Sequence, residues 1–201
     1  MPHESRPSQA LIDFFHEQLA LRVREWSDLD PVSLPPEVPE ASVCMIALPV
    51  DGLFAGRVPE DAPSWWRFLA VRGSFCALAE IGREANGEPE WRGLLFDAEL
   101  CRGMVALYRR IAAHRPATDV ARIVTVSALG ISALWFAGSP DSNGALPTDR
   151  FIPIRGMSEF PDDAFVAADA FWSVLRDRAN GPDAQGGGLA PLAAEPISAT
   201  D

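Results

Sequence analysis

The sequence predicts an α+β domain: one antiparallel sheet of about five strands with three helices, in the order α-β-β-β-α-β-β-α. Three observations carry that class. Segments with apolar residues at helical spacing alternate in blocks with β-branched runs, not in strict βα repeats. Asn86-Gly87 is a strong hairpin signal, because a two-residue primed turn needs positive φ. Residues 123–140 carry no charge, and their Ile, Val and central glycine suit a sheet better than a helix.

Each element has its own signature. Leu11, Phe15, Leu19, Val23 and Trp26 recur at helical spacing and predict a helix over 8–26. Prolines 31, 35, 36 and 39 then forbid regular structure and mark an extended connector. "ASVCMIALPV" (41–50) reads as a strand. After a long loop, "SWWRFLAVRGSFCALAEIGR" opens a sheet region. There Phe75, Ala77, Ala79 and Ile81 face one way and Cys76, Leu78 and Glu80 the other. "WRGLLF" (91–96) is the return strand of the hairpin. Asp97 caps a second helix, ridged by Leu100, Met104, Leu107 and Ile111 and closed by a basic end and Pro116. "RFIPI" (150–154) is a short strand; Pro153 lacks an amide hydrogen and belongs at a sheet edge or strand end. A third helix begins at Pro161, with Phe165, Ala168, Trp172 and Leu175 on its buried face, and stops at "NGP" (180–182). Residues 1–180 form one domain, and 181–201 lack the apolar periodicity to fold and are expected to be disordered.

The run "IVTVSALGISALWFAG" (123–138) raises three other readings. A membrane span needs about 20 apolar residues, and here serines, threonine, glycine and proline dilute the stretch. One straight strand of that length would run roughly 50 Å, too long for this domain, so the run must bend near Ser127–Gly130. A nucleophile elbow wants G-x-S-x-G; Ser132 has the first glycine, but Leu134 takes the place of the second. Both faces of the run are apolar, which predicts a central strand covered on both sides.

Composition narrows the function classes. The net charge of −11 repels nucleic-acid phosphates and anionic lipid, so neither partner is expected. The positive charge is all arginine, which removes Schiff-base chemistry and a phosphate-loop lysine and fits a GC-rich, bacterial source. The N-terminal residues contain no uninterrupted apolar segment of secretory type. Cys44, Cys76 and Cys101 read as separate buried thiols in a reducing compartment; a cytoplasmic location is the expectation. The element order is similar to that of bacterial secretion chaperones and some small adaptor domains, a likeness of topology alone.

No motif assembles a catalytic or metal site. Asp13, His16 and Glu17 share a helix without metal-ligand spacing, so no metal and no cofactor are expected. "DSNG" (141–144) begins like a calcium loop and fails at Ala145. Cys101 and His114 lie on one helix roughly 20 Å apart and cannot meet. His114 suits a helix C-terminus as a cation.

"SWWRF" (64–68) is the best surface candidate. Adjacent tryptophans on a strand face opposite ways, and Trp with Arg is enriched at binding hot spots. Trp65, Trp66 and Arg67 are therefore the expected partner-binding residues. The leading expectation is a non-catalytic adaptor, chaperone or accessory subunit that binds another protein, with a homodimer possible. One alternative is a small hydrolase or transferase using carboxylates such as Asp97 or Asp149 with arginines. Another is an acidic immunity protein that neutralises a basic toxin.

Overall fold

A computed structural model describes residues 6–22, 41–72, 75–84, 86–95, 98–114, 120–139, 141–161 and 164–181. Among them are three α-helices: α1 (Gln9–Leu21), α2 (Ala98–His114) and α3 (Ala168–Asn180). Eight strands accompany them: β1 (Ala41–Ala47), β2 (Ser64–Arg72), β3 (Phe75–Arg83), β4 (Pro89–Leu95), β5 (Val120–Val126), β6 (Ile131–Ala137), β7 (Arg150–Arg155) and β8 (Val166–Ala167). They form one sheet in the order β4-β3-β2-β1-β5-β6-β7-β8.

The mixed α and β class and the three helices are as expected, but the sheet is larger and is not purely antiparallel. Two apolar runs each fold back on themselves: 64–83 becomes β2 and β3, and 123–138 becomes the end of β5 and all of β6. Val166 and Ala167 add a further short strand. The central pair β1–β5 is parallel, because the chain leaves β1 and returns to β5 only after β2, β3, β4 and α2. With four strands before α2, the likeness in element order to secretion chaperones lapses. The third helix starts at Ala168, not at Pro161. Phe165 lies before it, half exposed, with its ring against Phe136.

The bend in the long apolar run falls where the sequence places it. A 3-10 turn, Ser127–Leu129, ends at Gly130, whose φ of 64° is left-handed and suits glycine. β5 and β6 then pair from Val126↔Ile131 to Val120↔Ala137. The uncharged run is thus a buried hairpin. Among the described residues no helix is long and apolar enough to cross a membrane. Val23 and Trp26 of the expected first helix, the Pro-rich connector, Asp97 and the tail 182–201 lie outside the described residues.

The hairpin at Asn86-Gly87 is present with a longer connection than two residues. β3 ends at Arg83 and β4 begins at Pro89, with Gly87 at φ 90°. Glu84 N–H donates to the Glu88 carbonyl at 2.9 Å, and Glu88 N–H to Asn86 Oδ1 at 2.8 Å.

Two apolar layers sandwich the sheet. On one face, Leu11 and Phe15 of α1 and Phe171, Trp172 and Leu175 of α3 pack on Ile46, Phe68, Ala79, Val124, Trp135 and Phe151. On the other, Cys101, Met104, Val105 and Ile111 of α2 cover Val43, Leu69, Leu78, Ile123 and Phe136. The order of strands and helices is that of a pseudo-twofold axis in the sheet plane between β1 and β5. Each half is a four-strand meander followed by a helix, and the two helices fall on opposite faces. α1 has no counterpart in this scheme.

The path of α2 positions the candidate site. It takes the chain from β4 to β5, four strand spacings or about 19 Å away. Its 17 residues span about 25 Å, enough to cross those strands. Trp65, near the start of β2, is a partly buried member of the layer that α2 covers.

Candidate functional site

Strand alternation divides "SWWRF" between the two faces. Trp66 points into the α1/α3 layer and is 7% exposed. It sits in the aromatic cluster where Phe68 stacks on Phe15 at 4.6 Å. That leaves Trp66 almost no surface to offer a partner. Trp65 and Arg67 share the α2 face and are half-buried.

Two arginine–glutamate pairs frame Trp65. Arg67 forks onto Glu80, its cross-strand neighbour, with Nε donating to Oε1 at 2.9 Å and Nη2 donating to the same oxygen. Arg92 reaches Trp65 from β4, past β3. A β-bulge lies at this point: Glu80 pairs with Gly93 and Ile81 with Trp91, so Arg92 is the extra residue. Its guanidinium lies over Gly82, where a Cβ would stand 2.2 Å from Arg92 Nε. The missing side chain is the gap through which Arg92 crosses. Its Cζ lies 6.0 Å from the Trp65 ring centroid, and its Nε donates to Glu90 Oε2 at 3.3 Å. Trp65 Nε1 is buried and has no acceptor among the described residues. What Trp65 shows to solvent is therefore ring carbon, set on a rigid strand between two neutralised arginines.

A second arginine–tryptophan cluster is closed. Arg122 of β5 is fully buried with its Cζ 4.7 Å from the Trp135 centroid. Burial pulls Arg122 below its ordinary value, while Cys44, Asp149 and Asp141 pull it back up. Asp149, also fully buried, accepts from Gly138 N–H (3.0 Å) through Oδ1, and from Leu146 N–H (2.8 Å) and Ser142 Oγ (2.5 Å) through Oδ2. Arg122 Nη1 reaches the Ser142 carbonyl at 3.5 Å. Trp172 Nε1 donates to the Gly144 carbonyl at 2.7 Å and fastens the same loop to α3. Asp149 therefore folds the 138–149 loop and turns no oxygen to solvent. "DSNG" is part of that loop: Val58 N–H donates to the Asn143 carbonyl and Gly144 N–H to Ser142 Oγ.

The remaining sequence candidates stay apart. Ser132 lies within the β5–β6 hairpin opposite Thr125, not at a strand-to-helix turn. Cys101 is buried on the sheet-facing side of α2, and the His114 side chain lies outside the described ones. Asp13 accepts from Gln9, and the His16 ring lies 5.1 Å from Phe15. No group of three or more His, Cys, Asp or Glu gathers as for a metal among the described residues. A cavity of about 100 Å³ under α1, lined by Ile12, Phe15, His16, Ser42 and Phe68, is well below the roughly 300 Å³ of small-molecule pockets.

The sequence points to Asp149 only as a catalytic carboxylate acting with arginines; its burial near Arg122 comes from the structure. Its signal was present: Arg122 occupies a core-facing parity in an otherwise apolar strand, and such a charge needs a buried acid. A comparison with protein-family models, with curated proteins and with solved structures finds no match.

Proposed function

We propose that the protein is a non-catalytic protein-binding module, an adaptor, chaperone or accessory subunit, whose contact surface centres on Trp65. The carrying observation is the preorganised group on the α2 face: Trp65 partly buried, Arg92 aimed over its ring through the Gly82 gap, and Arg67 fixed to Glu80. A partner covering this group would desolvate an aromatic surface whose flanking charges already hold their counter-ions. That limits the desolvation cost that usually offsets buried charge. Trp and Arg on a rigid strand also lose little side-chain entropy on binding. Trp66 drops out of the contact set and becomes the structural control.

The test is affinity purification of wild type, Trp65→Ala and Trp66→Ala, read by mass spectrometry and thermal melting. Trp65→Ala is expected to lose a recurrent partner while shifting stability by less than about 1 kcal/mol. Trp66→Ala is expected to destabilise by about 3–5 kcal/mol through the cavity it leaves. Equal partner capture by wild type and Trp65→Ala would sink the reading.

A further inference from the structure

The three helices differ in charge. α1 carries two acids and no arginine, and α3 carries two acids and two arginines. α2 carries three arginines against one glutamate, in a chain whose net charge is −11. After Glu99 it contains no acid at all. Arg102, Ala106, Arg109 and Ala113 recur at helical spacing, and all four are exposed. They form one stripe on the side of α2 turned from the sheet, opposite the buried Met104 and Ile111.

The arginines of this stripe differ from those elsewhere. Arg67, Arg92 and Arg178 each hold a glutamate. Arg102 and Arg109 hold no acid among the described residues. Gly103 lies beside the stripe and is also exposed. A glycine inside a helix costs stability relative to alanine, and this fold does not require one there. Its φ is not left-handed, and a Cβ added to it meets nothing within 4 Å. The missing side chain instead leaves the α2 backbone open to close approach from outside, beside those two cations.

We propose that this face of α2 docks an acidic helix of a partner protein. Arg102 and Arg109 stand seven residues apart, about 10 Å along the axis, and take two carboxylates at the same spacing. Gly103, Ala106 and Ala113 add little bulk, so a ridge of the incoming helix settles between the arginines. Charge decides among the occupants. A second α2 would set arginine against arginine. A nucleic acid would gain two contacts and meet the repulsion of a strongly acidic chain. The surface is separate from the one centred on Trp65, whose flanking arginines are already neutralised, and the proposal does not rest on that reading.

The test is fluorescence anisotropy at low salt with a labelled, alanine-based helical peptide that carries two glutamates seven residues apart. Wild type is expected to bind it, to bind it less as salt rises, and not to bind the same peptide with lysines in place of the glutamates. The double variant Arg102→Glu, Arg109→Glu should weaken binding by about tenfold or more. Gly103→Leu should weaken it as much while the melting temperature holds or rises, because leucine is the better helix former and has open space there. Absence of binding to the glutamate peptide, equal binding by Gly103→Leu, or tighter binding of a duplex DNA than of the peptide would each overturn the proposal. Trp65→Ala should bind the peptide as wild type does, which separates failure here from failure of the Trp65 surface.

Discussion

Arg122 lies over Trp135 in the middle of the sheet, and Arg92 lies over Trp65 towards its β4 side, with cation-to-centroid distances of 4.7 and 6.0 Å. The contact type is the same and the surroundings differ. Arg122 is cut off from water, so the fold must provide its counter-charge, and Asp149 with its three donors does so. Arg92 keeps access to solvent and holds Glu90 loosely. A buried cation–π pair is architecture, because its ion cannot be released without cost. An exposed one can change partners cheaply, and that is a requirement for a contact surface.

The largest effect should come from breaking the closed cluster. Asp149→Ala strands Arg122 in the core and releases the 138–149 loop; a loss of about 3–5 kcal/mol is expected in denaturant titration. Replacing both Arg122 and Asp149 by apolar residues of similar volume should recover part of that loss. If Asp149→Ala costs no more than Arg92→Ala, burial is not what separates the two clusters.

A smaller effect is expected at the open cluster. Gly82→Ala puts a methyl where the Arg92 guanidinium lies. A flexible arginine can move aside, so stability should change by less than about 1 kcal/mol. The indole N–H resonance of Trp65 should shift and partner affinity should fall, while the Trp135 resonance stays in place. An unmoved Trp65 signal would show that the Gly82 gap does not aim Arg92.

The smallest effect tests a third arginine, one with no ring beneath it. Arg178 of α3 donates to both oxygens of Glu159, at 2.9 Å from Nε to Oε1 and 2.6 Å from Nη2 to Oε2. The Glu159 carboxyl is held below its ordinary value chiefly by that hydrogen bonding. A depressed carboxyl stabilises above the unfolded value and loses its contribution as pH falls through the folded one. Glu159→Gln should therefore remove less than about 1 kcal/mol at neutral pH and nothing in strong acid. A larger loss at low pH than at neutral pH would reverse this sign.

Much of the scaffold was legible because local chemistry agreed with the final fold. The α2 ridge, the Gly130 bend, the Asn86-Gly87 hairpin and the alternation along β3 all follow from nearest neighbours. What sequence could not show depended on residues far apart. The parallel β1–β5 pair, the partner of Arg122 and the crossing of Arg92 over Gly82 are all set by tertiary placement. The short β8 was hidden because two residues carry no periodicity. Trp65 and Trp66 were legible as a pair facing opposite ways; which one stays partly open was decided by α1 and α2.

The seam between the two meanders has a kinetic consequence. Every other ladder in the sheet joins strands that are consecutive in the chain, so each half can assemble from antiparallel neighbours. The β1–β5 seam, by contrast, joins residues far apart in the chain: the Thr125 hydroxyl donates to the Ile46 carbonyl, 79 positions away. Closing so long a loop delays folding more than it costs stability, because the chain must surrender that entropy before the ladder repays it. The seam is therefore expected to form last. A chain caught before that step would hold two partly made sheets, each with an open central edge that could take up the matching half of a neighbouring molecule.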